Sequence, residues 1–365
     1  MITIKKNKIT EELRRFPNIL YGAGFAGRKC RNILEGQSVE VDFFVDDDMT
    51  KWGRCIEGLK VCSYNELVGY CSGKEHVNVI LTSIYGMQIL KRVGKIRGIT
   101  IYEMYDWYTE VVMPERFGEK IYDRESMKKY KENIGNLKGY LGDAESWRVL
   151  QNLYRYMEDG DINDISAIST EEEQYFIKEV QEYFGDRAFT LIDAGAYEGE
   201  LVRAILEMEL DVEKWFCFET NSENYRQLVR NSKKNGFKGE QVCINKGLWN
   251  ESGVMHVWGS GTSSKVVEAG SQGEAVEMVT IDEYFKDIPV GLIKMDIEGA
   301  EMNALKGGME VIKRDRPVLA VSIYHSIEDY YGILELMVRN LKGYRYLVRH
   351  HSMVFCETVL YAIPK

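Results

Sequence analysis

At 365 residues the chain has room for two domains or one large one. A net charge of −10, with both signs spread throughout, excludes a general binder of nucleic-acid polymers, which needs a basic footprint. The longest apolar runs fall well short of the ~20 residues of a membrane span, and the basic start M-I-T-I-K-K-N-K has no apolar stretch behind it. Neither a membrane span nor a signal peptide is therefore expected. The seven cysteines form no C-x-x-C pair, and the apolar neighbours of Cys217 and Cys243 point to reduced thiols in a cytoplasmic setting.

In chain order, residues 1–15 read as a lead-in helix and Asn18-Ile19-Leu20-Tyr21 as a strand. Gly22, Gly24 and Gly27 follow as G-x-G-x-x-G, and a helix runs on through Cys30 and Leu34. Val41 to Val45 is the next strand, ending at Asp46, 24 residues beyond Gly22. This is close to a dinucleotide fingerprint, in which glycines admit a phosphate and the acid meets a ribose. NAD or a nucleotide-sugar would then sit at Gly22, Gly24, Gly27 and Asp46. The competing reading is a scaffold whose glycines serve only the turn and the packing. Further strands at Asn78–Thr82 and Thr100–Tyr102 complete a small Rossmann-like domain over residues 1–112.

From residue 113 to residue 185 Tyr, Glu, Lys and Met dominate, and the pattern is that of a helical connector. Ala144 onward reads as one helix, and Glu171–Phe184 as another, with Tyr175, Ile177, Val180 and Phe184 near helical spacing. Trp147, Tyr154 and Tyr156 are read as packing residues.

The organising stretch is T-L-I-D-A-G-A-Y-E-G-E, Thr190 to Glu200. A short apolar strand ends in Asp193, Gly195 and Gly199 turn the chain, and a helix begins near Leu201. The spacing is D-x-G-x-x-x-G, and a carboxylate there suits a ligand with an amino or positive end rather than a pyrophosphate. S-adenosylmethionine (SAM) has both an amino group and a sulfonium. Trp215-Phe216-Cys217-Phe218 is the second strand, and its terminal Glu219, 20 residues after Gly199, is placed for two ribose hydroxyls. Gln241–Asn245 is the third strand. Gly253–Trp258 reads as an extra strand, and Ser260–Ser264 as a substrate loop or a plain turn. Gly291–Met295 is the fourth strand, ending at Asp296, with Lys294 as a candidate partner for that acid. Glu298 and Glu301 fall in the first turn of a helix running towards Ile312, where the dipole favours negative charge. Pro317–His325 is the fifth strand, Ser326–Arg339 a helix, and Tyr344–Val348 and Thr358–Ala362 the last two strands.

D-A-G-A-Y-E-G-E, F-E-T-N-S-E-N-Y-R-Q-L-V-R-N, G-L-W-N-E-S-G and K-M-D-I-E-G-A-E-M-N-A-L-K-G-G, in this order, resemble the FkbM family of SAM-dependent methyltransferases. The resemblance covers roughly Phe189 to Pro364. Thr220 is a departure, since the family more often has proline there. Together with the N-terminal reading, the resemblance makes this an α/β chain of two Rossmann-like domains. The C-terminal one, residues 186–365, would be a seven-stranded doubly wound class I methyltransferase sheet with an antiparallel last strand. It implies SAM as cofactor, held by Asp193, Gly195, Tyr197, Gly199, Glu219, Thr220, Gly247, Leu248 and Asp296. It further implies O-methylation of a small-molecule hydroxyl, on a sugar or glycan-related acceptor or a nucleotide-sugar. Asp296, His325 and Glu298 are the catalytic candidates, with His325 favoured as general base and His350 and His351 behind it. Asp296, Glu298, Glu301 and His325 are hard-ion ligand types, but no H-x-x-x-H or equivalent spacing supports a metal, and none is assigned. N-methylation stays open, as do homo-oligomerisation and a non-catalytic nucleotide-binding scaffold of two Rossmann-like domains.

Overall fold

The computed structural model describes residues 2–3, 11–82, 86–103, 124–159, 162–258, 265–267, 274–352 and 356–365. The loop expected at Ser260–Ser264 lies outside them. The chain divides into two compact units. One comprises Met1–Lys128, Gln151–Ser169 and Ser352–Phe355, the other Lys129–Leu150, Thr170–His351 and Cys356–Lys365. Among the described residues no helix is long and apolar enough to cross a membrane.

The first unit is built on seven strands: β1 (Ile2–Thr3), β2 (Asn18–Tyr21), β3 (Phe43–Val45), β4 (Cys55–Ile56), β5 (Leu59–Cys62), β6 (Val77–Leu81) and β7 (Ile99–Glu103). Their order is β1-β7-β6-β2-β3-β5-β4, parallel except for the β4–β5 hairpin. Strands β2, β3 and β6 are buried along their whole length, which is why they read as unbroken apolar runs. The chain leaves β2 for β3 on one side, and β6 pairs β2 on the other. The glycine turn after β2 therefore lies at the switch point, where open α/β sheets take ligands.

The second unit holds the larger sheet: β8 (Phe189–Ala194), β9 (Val212–Phe218), β10 (Glu240–Ile244), β15 (Leu292–Met295), β16 (Val318–Ser322), β17 (Tyr344–His350) and β18 (Thr358–Pro364). The order is β10-β9-β8-β15-β16-β18-β17, with β18 antiparallel to both of its neighbours. This is the expected doubly wound sheet with its antiparallel last strand. A second sheet of four strands comprises β11 (Gly247–Leu248), β12 (Gly253–Trp258), β13 (Lys265–Val267) and β14 (Glu274–Val279). Only β12 was legible as an added strand.

Three helices differ from expectation. The lead-in helix read over residues 1–15 is confined to Glu11–Arg15, and Ile2–Thr3 instead joins the sheet as β1 beside β7. The helix read as Glu171–Phe184 starts only at Lys178, because Ile177 is extended and Tyr175, Phe176 and Ile177 are all buried. Three consecutive buried side chains do not fit one helical face. The helix expected to run towards Ile312 breaks into Glu301–Lys306 and Met309–Asp315. A Cβ on Gly307 would meet the Trp249 carbonyl oxygen at 2.1 Å, so the chain must pass here without a side chain.

Candidate active site

The switch point of the larger sheet lies between β8 and β15, and register explains its chemistry. Asp193 sits inside β8, directly opposite Lys294 of β15. Residues opposed across a ladder point to the same face. The Lys294 Nζ lies 2.9 Å from Asp193 Oδ1, and it donates to the carbonyl oxygens of Gly195 at 2.7 Å and Ala194 at 3.3 Å. Three acceptors match the three protons of an ammonium. Trp215 Nε1 donates to Asp193 Oδ2 at 3.2 Å. Burial opposes the charge on Lys294, but Asp193 and then Asp296 outweigh it and raise its pKa. Lys294, expected beside Asp296, thus pairs with Asp193. β15 ends at Met295, so Asp296 has left the strand and the period of two no longer aligns it with Lys294. Asp193 itself is 1% exposed and offers no face to a ligand.

Gly195 (φ +78°) turns the chain out of β8, and its Cα is pressed against β15. An added Cβ would lie 1.9 Å from the carbonyl oxygen of Asp296. The first loop is thereby held against the end of the fourth strand. Tyr197, also at positive φ, donates its amide to Glu219 Oε2 at 2.9 Å. The Asn221 amide donates to Glu219 Oε1 at 2.8 Å, while Asn221 caps the helix Ser222–Ser232. Glu219 is buried, burial raises its pKa against these two amides, the Lys294 charge and the Asn224 side chain, and no ion pair to it exists among the described residues. Asn245 Nδ2 donates to the Glu219 carbonyl at 2.8 Å and the Thr220 carbonyl at 3.2 Å. Gly247 and Leu248 are buried in β11, where a Cβ on Gly247 would meet Met278 Sδ at 2.2 Å and the Thr220 methyl at 3.2 Å. Glu219, Thr220 and Gly247 therefore meet at one edge. Gly199 (φ +87°) closes the first loop on Leu228.

Asp296 follows β15 and sits in a ring of donors. Tyr175 OH donates to its Oδ2 at 2.9 Å, and Tyr324 OH reaches Oδ1 at 3.2 Å and Oδ2 at 3.3 Å. His325 Nε2 is 3.3 Å from Asp296 Oδ1 and 3.6 Å from Glu298 Oε2, and its Nδ1 is 3.2 Å from Glu301 Oε1. Burial alone would lower the pKa of His325, but Glu301 and Asp296 override it and push it up to about 10. Burial would raise that of Asp296, yet His325, Lys294 and Tyr175 hold it well below the usual carboxylate range. Glu298 lies in the turn before the helix and adopts φ +61°, a conformation a non-glycine residue rarely takes. Of the two acids expected in the first helical turn, only Glu301 is there, and its Oε1 accepts the Ile297 amide at 2.7 Å. The structure brings Asp296, Glu298 and His325 together, as well as Glu219 with the first loop.

Sequence reasoning missed Tyr175 and Tyr324 as partners of Asp296. Tyr324 directly precedes His325, and the S-I-Y-H run could have flagged it. Tyr175 carried no signal, being 121 residues away in a segment read as helix. His350 and His351 do not join this cluster. His350 Nδ1 is 2.8 Å from Thr358 Oγ1 across the β17–β18 pair, and His351, just past β17, has its Nε2 2.7 Å from Tyr361 OH. Burial pushes the His351 pKa down to about 4.

A doubly wound sheet with an antiparallel last strand, and acids at the ends of its second and fourth strands, is the fold of a methyltransferase. Residues 193–346 match the family described as Methyltransferase FkbM domain. The chain carries an FkbM methyltransferase domain over that span. No curated protein matches the chain. Among solved structures it is similar to the methyltransferase FkbM from Methylobacillus flagellatus KT, with a TM-score of 0.57 and 19% identity over 96% of this chain and 92% of that one. This likeness concerns the fold. UDP-D-quinovosamine 4-dehydrogenase from Vibrio fischeri matches 28% of this chain and 89% of its own, at 20% identity and a TM-score of 0.24. A SAM dependent methyltransferase from Aquifex aeolicus matches 55% of this chain and 97% of its own, at 15% identity and a TM-score of 0.32.

Proposed function

We propose that this protein transfers a methyl group from SAM to a hydroxyl of a small molecule, a sugar or glycan-related acceptor. The observation that carries the reading is Glu219, a buried carboxylate held by one backbone amide on each oxygen and by the Asn224 side chain, and paired with no cation among the described residues. A carboxylate has about four lone-pair sites, so with three donors in place Glu219 keeps capacity for a ribose hydroxyl, and the residues fit the cofactor. Bound there, SAM supplies an electrophilic methyl group on its sulfonium. Thr220, Gly247 and Leu248 would hold its adenine side, and the loop from Gly195 through Tyr197 to Gly199 would hold the ribose and methionyl end. Asp193 acts at one remove as a positioning residue. Through Lys294 it fixes the carbonyls of Ala194 and Gly195.

Asp296, Glu298 and His325 work on the acceptor. Methyl transfer is an in-line displacement, so the acceptor oxygen must be aligned and its proton removed. Asp296, fixed by Tyr175 and Tyr324, orients the hydroxyl, and the carboxylate–imidazole group receives its proton only in the form in which His325 is neutral, a form that rising pH populates. The division into residues 1–112, 113–185 and 186–365 is part of this proposal, with the N-terminal domain recognising the acceptor or mediating assembly. A cytoplasmic setting agrees with the free cysteines.

The test is calorimetry with SAM, followed by a screen of sugars and nucleotide-sugars for S-adenosylhomocysteine release. Replacing His325 by Ala should leave SAM affinity intact and lower turnover by ~10²–10⁴-fold. A folded protein that binds neither SAM nor S-adenosylhomocysteine would sink the reading and leave the non-catalytic scaffold standing.

A further inference from the structure

Three carboxylates surround one imidazole after β15. His325 and Glu301 are closed off from water, their side chains 3% and 0% exposed. Neither ring nitrogen of His325 makes a hydrogen bond, although carboxylate oxygens lie 3.2–3.6 Å away, and Glu301 Oε2 receives no donor. Buried polar atoms are nearly always satisfied, so unsatisfied atoms that face one cluster need a cause. Charge points the same way. Lys294 is committed to Asp193. That leaves Asp296 and Glu301 beside a single imidazole, which carries one positive charge at most. Uncompensated charge at so dry a place is costly.

We propose that Asp296, Glu301 and His325 hold a divalent cation. One ligand atom from each lies within 4.8 Å of the others. Around a small divalent ion, neighbouring ligands are about 3.0–3.4 Å apart and opposite ones about 4.2–4.8 Å. The observed spacing closes on such an ion with small side-chain adjustments. One imidazole with two carboxylates suits Mn²⁺ or Zn²⁺ better than Ca²⁺, which takes oxygen ligands only. The cluster opens on the side of Asp296 and Glu298, whose side chains are 21% and 16% exposed. Remaining coordination positions there are free for water or an acceptor hydroxyl. The proposal stands on ligand geometry and does not depend on methyl transfer. Its rival is a protonated His325 that neutralises the carboxylates without any metal.

The full-length chain, stripped with a chelator and free of SAM, is titrated with Mn²⁺, and the unbound ion is read by electron paramagnetic resonance. One Mn²⁺ should bind per chain. Loss of an outer hydrogen-bond partner typically weakens metal binding by about 10–100-fold, and Glu301→Gln and His325→Gln should each cost at least that. Glu335→Gln, at an exposed side chain near the far end of the helix Asp329–Asn340 and paired with Arg339, should change nothing. A wild-type chain that takes up no Mn²⁺, or a Glu301→Gln variant that binds it unchanged, overturns the proposal. If the variants fail to fold, the wild-type melting temperature decides. A rise with Mn²⁺ that EDTA reverses supports the site, and an unmoved melting curve refutes it. SAM calorimetry on the same stripped chain keeps the two readings apart. SAM binding without Mn²⁺ binding removes the cation alone, and Mn²⁺ binding without SAM binding removes the methyl donor alone.

Discussion

In the N-terminal sheet, Asp46 accepts the Ala23 amide of the first loop at 2.8 Å and the Asp48 amide at 2.9 Å. In the C-terminal sheet, Glu219 accepts the Tyr197 amide at 2.9 Å and the Asn221 amide at 2.8 Å. The fourth position repeats as well. Thr82 donates to the carbonyls of Tyr21 and Gly22, as Lys294 does to those of Ala194 and Gly195. An acid that braces the first loop is thus a backbone device common to both units, and by itself it does not announce a cofactor. The difference is charge. Asp46 has Lys51 at 3.1 Å, whereas Glu219 has no ion-pair partner among the described residues. The N-terminal loop is fastened by a neutral hydroxyl, and the C-terminal one by a buried ammonium balanced on Asp193.

The largest expected effect follows from that last contrast. The Lys294–Asp193 pair is 7% and 1% exposed, and the Lys51–Asp46 pair 32% and 12%. Replacing Lys294 by Met leaves a buried carboxylate alone and should cost about 3–5 kcal/mol. Replacing Lys51 by Met should cost about 0–1 kcal/mol. Urea unfolding of the two variants checks both figures. Equal losses would mean that the Asp193 carboxylate finds another partner or water.

Next comes the pair of braced acids. Glu219→Ala should weaken SAM binding by about 1.5–3 kcal/mol, one to two decades in Kd. Asp46→Ala should leave SAM affinity where it was. Calorimetry on folded variants measures both. An unchanged Kd in Glu219→Ala would remove Glu219 from the ribose.

Much of this frame was legible in the sequence, for a physical reason. The strands β8, β15 and β16 and the second half of β9 are buried and read as apolar runs, and Glu219 and Asp296 stand at the exits of β9 and β15. The pairing of those acids was not legible. Lys294 and Asp193 meet through a register between strands 101 residues apart, which no local period encodes. Tyr175 reaches Asp296 from a non-helical turn, and its spacing to Val180 and Phe184 imitated a helix. Gly307 and Gly308 sat inside an otherwise helical pattern, and only the approach of Trp249 and Ile281 shows why the helix must stop. The three carboxylates around His325 could be listed from the sequence. That they enclose one ring came only with the turn at Glu298 and Gly299.

The smallest effect tests the N-terminal turn. Gly22 needs its glycine for φ +119°, and Gly27 because a Cβ would lie 1.8 Å from the Gly22 carbonyl oxygen. Gly24 has neither excuse. Its φ is −80°, and an added Cβ meets nothing within 4 Å. In dinucleotide sites the second glycine lets the backbone approach a pyrophosphate. A side chain at Gly24 should therefore cost the fold less than about 1 kcal/mol, the range of an N-cap change without a lost side-chain bond. Gly24→Val is then a clean probe of a ligand in the N-terminal unit. If that turn holds a nucleotide of the acceptor, the acceptor's KM rises while SAM affinity and the melting curve stay put. A KM that does not move, once the acceptor is known, leaves Gly24 to chance and the N-terminal unit to assembly.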